Sequence, residues 1–568
     1  MLSVVAATVT VSSGNAHPIV GICWTPRSTC SLRGMRLTID AASTLVATTS
    51  SNDTFLEPRC VQAVVSSALN FGSIVDGDVV ISGLSTVVAM TKNSTSAIAA
   101  RAGVFDAEVT AQLRLRVTES SFVSSAVMMS EGVVGQLGES ASLRLGCGLH
   151  DVTVIVAENA TVVAAVVATA TVQGVALSGI CVSTLSEAFV SDVILSVSDM
   201  SRVSAVAPFA AIAAAFISAP WNANVPLNVS LHRIHISVSG HSDVTSRTTK
   251  YSGFGSALPS GAITASLLTS ASFMPVVRIS DIQFSLSNRS VIGADTAVTV
   301  PLVCAMVIRV IAVMQVTDVA IEDVSLTVID TSRVALVASS GCTDAWVLSV
   351  MVGNVVVRSS FTRVVVAMTN DSTAMVVAPG SSASAAAALA VTTGFSVLPS
   401  PALIIDSVAF SLIGNVSLIV NSSNAATGTA MGLRIRSSAQ MTVLRNVSSI
   451  VSDNSTVIVT GPTTAAAVSL IFVVIDEIAA RPGQIHSVSF LSWRFHVERG
   501  SVVLTAASGN ANSYDVSATV TSIDVRDETT TTGATPVDVN VAGGSLVIAN
   551  DSLVRTQSAG YTKIGAIL

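Results

Sequence analysis

The sequence predicts an all-β chain wound as a parallel β-solenoid. Three observations predict it. A motif recurs at intervals of about 42 residues, a period typical of repeat architectures. Apolar residues occupy alternate positions within the motif, and the composition is Val-, Ala-, Ser- and Thr-rich but poor in charge. Half of the 568 residues are hydrophobic, while 4% are aromatic and 11% charged. A chain this apolar is not disordered, and its β-branched residues, stiff at χ1, favour strands. At this length a single compact core is exceeded, so several domains or a repeat array follow.

The repeat is anchored by a hydroxyl residue: Ser43, Ser85, Ser121, Thr161, Ser201, Ser242, Ser290, Ser332, Ser372, Ser417, Ser455, Ser501 and Ser545. Four residues before the anchor stand Ile39, Ile81, Val117, Ala157, Val197, Val328, Ile413 and Val541, among others. Six before it stand Leu37, Ile155, Leu195, Leu326 and Ser411, and two after it Leu45, Val163, Val203, Ile419 and Val547. Apolar residues at every second position mark a strand with one buried face. Two before the anchor, residues such as Gly83, Asn159, Asp199, Asn288, Asp330 and Asn415 mark a turn. Each unit therefore reads as strand, short polar turn, second strand and a variable half with a further apolar run. The anchor hydroxyl is read as structural, bonding backbone in the turn, because a catalytic nucleophile is not repeated thirteen times.

A parallel solenoid stacks such units and tolerates length changes at its corners. One repeat would be one large coil or two of about 21 residues, half of the repeat read from the sequence. The alternative is a pair of tandem β-propellers, since thirteen units exceed the blades of one ring. Three Tyr and four Trp cannot supply the aromatic girdles of an outer-membrane barrel. Residues 1–30 are read as an N-terminal segment, a cap or truncated repeat, and 31–568 as a continuous repeat array. The Ser/Ala-rich run Ser381 to Ala390 is expected to be a loop and 528–535 an insertion. Val298 to Met314 is the most membrane-like run, but Pro301 and Arg309 interrupt it, and buried strands explain it better.

Eleven Asn-X-Ser/Thr sequons are candidate N-glycosylation sites: Asn52, Asn93, Asn159, Asn228, Asn288, Asn370, Asn415, Asn421, Asn446, Asn454 and Asn550. Four of them (Asn159, Asn288, Asn370 and Asn415) fall in the turn column, where fold alone also favours Asn. The seven Cys, at 23, 30, 60, 147, 181, 304 and 342, form no metal-binding spacing. Their odd number leaves one unpaired if the others form bridges. With 28 basic and 35 acidic residues, net charge −7, there is no basic excess for nucleic acid. The start lacks a basic leader and the end, Gly560 to Leu568, lacks a hydrophobic tail. The expectation is a piece of a longer surface protein, with membrane association through regions outside this chain.

No catalytic, cofactor-binding or metal-binding residues are assigned, and no cofactor is expected. His232 and His235, three apart, should face opposite sides of a strand, and adjoining Glu322 and Asp323 should diverge likewise. Neither a Gly-x-Ser-x-Gly elbow nor a phosphate loop is present.

The segments Asp323-Val-Ser-Leu-Thr-Val-Ile-Asp-Thr-Ser-Arg-Val-Ala-Leu-Val and Asp192-Val-Ile-Leu-Ser-Val-Ser-Asp-Met-Ser-Arg-Val-Ser-Ala-Val resemble the repeat-rich surface proteins of kinetoplastid protists. These comprise the trypanosome dispersed gene family and the membrane-associated proteins of free-living relatives. The resemblance implies β-helical ectodomains with a pectin lyase-like fold, a cell-surface or membrane-associated location, and an adhesive or protective role. The ligand would be an unknown surface glycan or protein. The alternative function is a β-helix carbohydrate-active enzyme, a lyase or hydrolase, which would gather carboxylates on one concave face.

Overall fold

The chain is described here from a computed structural model covering residues 2–13, 20–25, 31–49, 59–66, 73–91, 97–102, 109–128, 138–145, 148–167, 172–179, 187–208, 210–219, 228–249, 261–296, 302–338, 342–378, 385–393, 402–422, 427–437, 441–461, 464–475, 486–508, 517–527, 537–558 and 561–567. Among these residues every regular element is a strand and the strands pair in parallel. The chain divides into two compact units, Met1–Ser272 with Asn288–Val298, and Phe273–Ser287 with Thr299–Leu568.

One repeat makes one coil. In the first unit Glu187–Val197 lies beside Asn228–Val238, with Leu195 opposite Ile236 and Val197 opposite Val238. In the second, Ala402–Ile413 pairs with Met441–Ser452, which pairs with His486–Val497. A coil carries three strands: one leading into the turn, one of mostly six residues after it, and one in the variable half. The variable strands build their own ladder, as Gly138–Leu145, Val172–Gly179 and Ala210–Ala219 show. Pairing in parallel one repeat apart is solenoid geometry and rules out propellers, whose blades are antiparallel. Within the segment 1–30, Leu2–Val5 and Thr8–Ser13 already join these ladders, beside Ser31–Asp40 and Thr44–Thr49.

The alternation read from the sequence fills the core. Val197, Leu195, Val328 and Leu326 are all buried, each contributing roughly 1.5–3 kcal/mol before entropy. The apolar run that invited a membrane reading is strand from Leu302 onward, within Leu302–Val328. Among the described residues no helix is long and apolar enough to cross a membrane. Ser381 to Ala390 is not wholly a loop, because Ala385–Thr393 is a strand paired with Thr427–Ser437. Ala has neither the extra backbone freedom of Gly nor the missing N–H of Pro, so nothing in Ala385–Thr393 stops a ladder. Residues 528–535 lie outside the described residues.

The turn has a fixed form. In thirteen of the fourteen described turns the two residues before the anchor position both adopt the left-handed region, for example Asp199 (φ 56) with Met200 (φ 62), and Gly240 with His241, while the first turn has Ala6 alone. Two successive left-handed residues make a type I′ turn, which accounts for the Asn, Asp and Gly there. The anchor N–H closes the turn, as from Ser201 to the Ser198 carbonyl at 3.3 Å. The anchor hydroxyl then ties coils together. Ser201 N–H donates to Ser242 Oγ and Ser242 N–H to Ser290 Oγ, both at 3.1 Å. The hydroxyl itself donates to the first turn carbonyl, as from Ser455 to Ser452 at 2.7 Å. Ser is therefore structural at this position, bonding in two directions in a buried column.

The strand register moves three anchors. Phe122 and Arg202 both lie opposite Thr161, so the anchor of that coil is Ala160. Thr373 and Thr456 both lie opposite Ser417, so the anchor is Val416. Val502 lies opposite Leu553, so the last anchor is Ser552 rather than Ser545. The anchor side chain points inward, and Ala or Val fills that space without the hydroxyl. The adjoining Thr or Ser gives a false match. The core shifts accordingly: Val154, Val156, Phe410 and Leu412 are inside, whereas Ile155 and Ser411 are only half-buried and Ile413 is exposed.

Candidate functional site

A second left-handed residue interrupts each coil nine positions before the anchor. The positions are Gly34, Asp76, Gln112, Asp151, Asp192, Arg233, Asp281, Asp323, Arg363, Ser407, Asn446, Ser492 and Gly543. This break advances the alternation by one residue. In Asn228–Val238 the inward residues are Val229 and Leu231, then Ile234, Ile236 and Val238, with Arg233 (φ 51) between the two sets. His232 and His235 consequently both lie on the outer side, against the expectation of opposite faces. Asp and Asn fill six of these thirteen positions, because their short polar side chains tolerate left-handed backbone.

Stacking puts the break residues of successive coils side by side, and at two levels of the described residues they form ion pairs with each other. Arg233 holds Asp192 through both carboxylate oxygens, Nη2 lying 2.7 Å from Oδ2. This bond holds the Asp192 carboxyl down at about 2, below its ordinary 3.8. In the second unit Arg363 takes Asp323 at 2.7 Å and Glu322 at 3.4 Å. Adjoining Glu322 and Asp323 do not diverge, because the break at Asp323 turns both toward one guanidinium. The Arg363 bond also lowers the Asp323 carboxyl. For Asp406, burial favours the neutral acid, but hydrogen bonds from Asn446 (3.0 Å), Ser407 (3.0 Å) and Arg445 (2.7 Å) together lower it.

The first unit holds a different stretch of the same break. A groove of about 670 Å³ is lined by Gly34, Met35, Arg36, Asp76, Gly77, Asp78, Gln112, Arg114, Asp151 and Thr153. Asp78 is engaged there by Arg116 (2.8 and 3.1 Å) and more loosely by Arg36 (3.5 Å). Asp76, Gln112, Arg114 and Asp151 form no hydrogen bond or ion pair within the described residues. Gly77 occupies an inward position that Leu113 and Val152 fill in the next two coils. No sequence pattern separated these residues from the other scattered carboxylates, because four successive coils supply them, each a whole repeat from the next.

The glycosylation candidates distribute over the two left-handed positions and the strands. Asn159, Asn288, Asn370, Asn415, Asn454 and Asn550 are exposed turn residues, and Asn446 is an exposed break residue. Asn228 is half-buried at the start of a strand and Asn421 is exposed near the end of another. Asn52 and Asn93 lie outside the described residues, as do the side chains of all seven Cys. In Asn288-Arg289-Ser290 and Asn370-Asp371-Ser372 the sequon hydroxyl is the buried anchor itself. Among the described residues no group of His, Cys, Asp and Glu could hold a metal ion. No protein-family model, curated protein or solved structure matches this chain.

Proposed function

We propose that this chain is a non-enzymatic, extracytoplasmic cell-surface or membrane-associated repeat protein, adhesive or protective through its extended β-solenoid surface. The observation that carries the reading is the stacking itself. Each outward position recurs one coil away, at about 4.8 Å, so a repetitive partner meets the same kind of contact many times and weak contacts accumulate. The paired carboxylates support it too: Asp192, Asp323 and Asp406 are locked by guanidinium groups rather than left as free acid and base pairs. Exposed turn Asn residues suit a glycoprotein, and the resemblance to kinetoplastid surface proteins points the same way.

One observation favours the second reading, a carbohydrate-active enzyme: the groove holding Asp76, Asp78 and Asp151 with Arg36 and Arg114. The deciding experiment incubates the purified chain with cell-surface preparations and soluble polysaccharides, measuring retention and release of reducing ends. Saturable retention without reducing-end release is expected. Release that is lost in Asp76→Asn would overturn the non-enzymatic reading.

A further inference from the structure

We infer that the groove in the unit Met1–Ser272 with Asn288–Val298 is a binding site for a neutral oligosaccharide, an inference that rests on the adhesive reading and gives it a ligand class. Three features carry this inference: the size of the groove, the unengaged state of its polar groups and their order along the coils.

The groove volume of about 670 Å³ lies within the range of small-molecule sites. Its four side chains without a partner among the described residues contrast with the break elsewhere, where Asp192 and Asp323 at the break position, and Asp406 beside it, are taken by a neighbouring coil. The free groups are also ordered. Gln112 and Arg114 share the central coil, Asp76 lies one coil to one side and Asp151 one coil to the other. Donors are thus flanked by acceptors, over a span of two coil steps, roughly 10 Å at the spacing of parallel strands.

Charge then selects the ligand. An anionic polymer would be repelled by Asp76 and Asp151, whereas the Asp78 charge is already met by Arg116 and Arg36. A polyamine would meet Asp76 and Asp151 at its ends but be repelled by Arg114 at its centre. Hydroxyl groups both accept and donate, so a neutral sugar satisfies the central donors and both flanking carboxylates. Sugar rings in an extended chain advance by a length close to one coil step, so adjacent rings would meet adjacent coils. Asp76 and Asp151, two coils apart, are too distant to chelate one cation.

The test is calorimetric titration of the full chain with cellotetraose, chitotetraose and mannotetraose, with tetragalacturonate and spermidine as charged controls. Saturable binding of at least one neutral tetrasaccharide is expected. Arg114→Ala, Gln112→Ala and Asp151→Asn should each weaken it about tenfold or more, because each leaves a bonded group without its partner. Arg445→Ala, outside the groove, should bind as the unaltered chain does. Circular dichroism of every variant identifies a loss caused by misfolding, and in that case Arg114→Lys, Gln112→Asn or Asp151→Ser replaces the affected variant. Tighter binding of tetragalacturonate or spermidine, or equal affinity in the groove variants, would overturn the inference. Retention on cell surfaces with no neutral tetrasaccharide bound would remove the groove while leaving the adhesive reading standing. Loss of retention altogether would remove that reading.

Discussion

Two stretches of the same backbone feature use their charges in opposite ways. At the break around Asp406, the carboxylate is 15% exposed and receives hydrogen bonds from Arg445, Asn446 and Ser407. At the break around Asp76, Gln112 and Asp151, the side chains are exposed and engage nothing among the described residues. The backbone conformation is the same, φ 58 at Ser407 and φ 59 at Asp76. The left-handed break therefore sets where a side chain emerges, while the neighbouring coil decides whether it serves stability or remains available.

The comparison can be broken or sharpened experimentally, beginning with a lesion that should ignore it. Val328→Asp places a charge at a fully buried position, and a loss of about 3–5 kcal/mol or outright failure to fold is expected. Unchanged thermal unfolding would show that the core columns do not hold the coil. Next, Asp406→Ala should cost about 1–2 kcal/mol, measured by denaturant unfolding, since three donors lose their acceptor in a mostly enclosed setting. A neutral result there would erase the distinction between paired and free stretches.

Acid should reveal the pairing at Asp192. Its carboxyl titrates near 2 when folded against an ordinary 3.8, so folding favours the ionised form. That stabilisation is complete above the unfolded value and is lost as pH falls from about 4 toward 2. Asp192→Asn should flatten that part of the stability curve, and an acid limb identical to that of the unaltered chain would contradict the assignment. The smallest effect belongs to the groove: Arg114→Ala and Asp151→Asn should change stability by no more than about 0.5 kcal/mol. A larger loss in melting experiments would mean these side chains support the fold.

Much of the architecture was legible from side-chain periodicity. Val197, Leu195, Val328 and Leu326 were placed in the core by alternation alone, because a strand period of two leaves one set of side chains inside. The anchor Ser was legible as structural, because repetition excludes a unique chemical role. Three anchors were misplaced since hydroxyl identity was matched where inward direction was the constraint, and Ala160 and Val416 meet that constraint without a hydroxyl.

By itself, then, the sequence determined strand content, the repeat period and the turn column, all properties of neighbours along the chain. Tertiary structure decided that one repeat is one coil and that His232 and His235 share a side. It also brought Glu322 and Asp323 to one guanidinium and left Asp76, Gln112, Arg114 and Asp151 facing a groove. The physical reason is that a single left-handed residue shifts the side-chain phase by one, and nothing in local apolar periodicity reveals it. The partners of the side chains it releases come from adjacent coils, a whole repeat away along the chain, so only the stacked register brings them together.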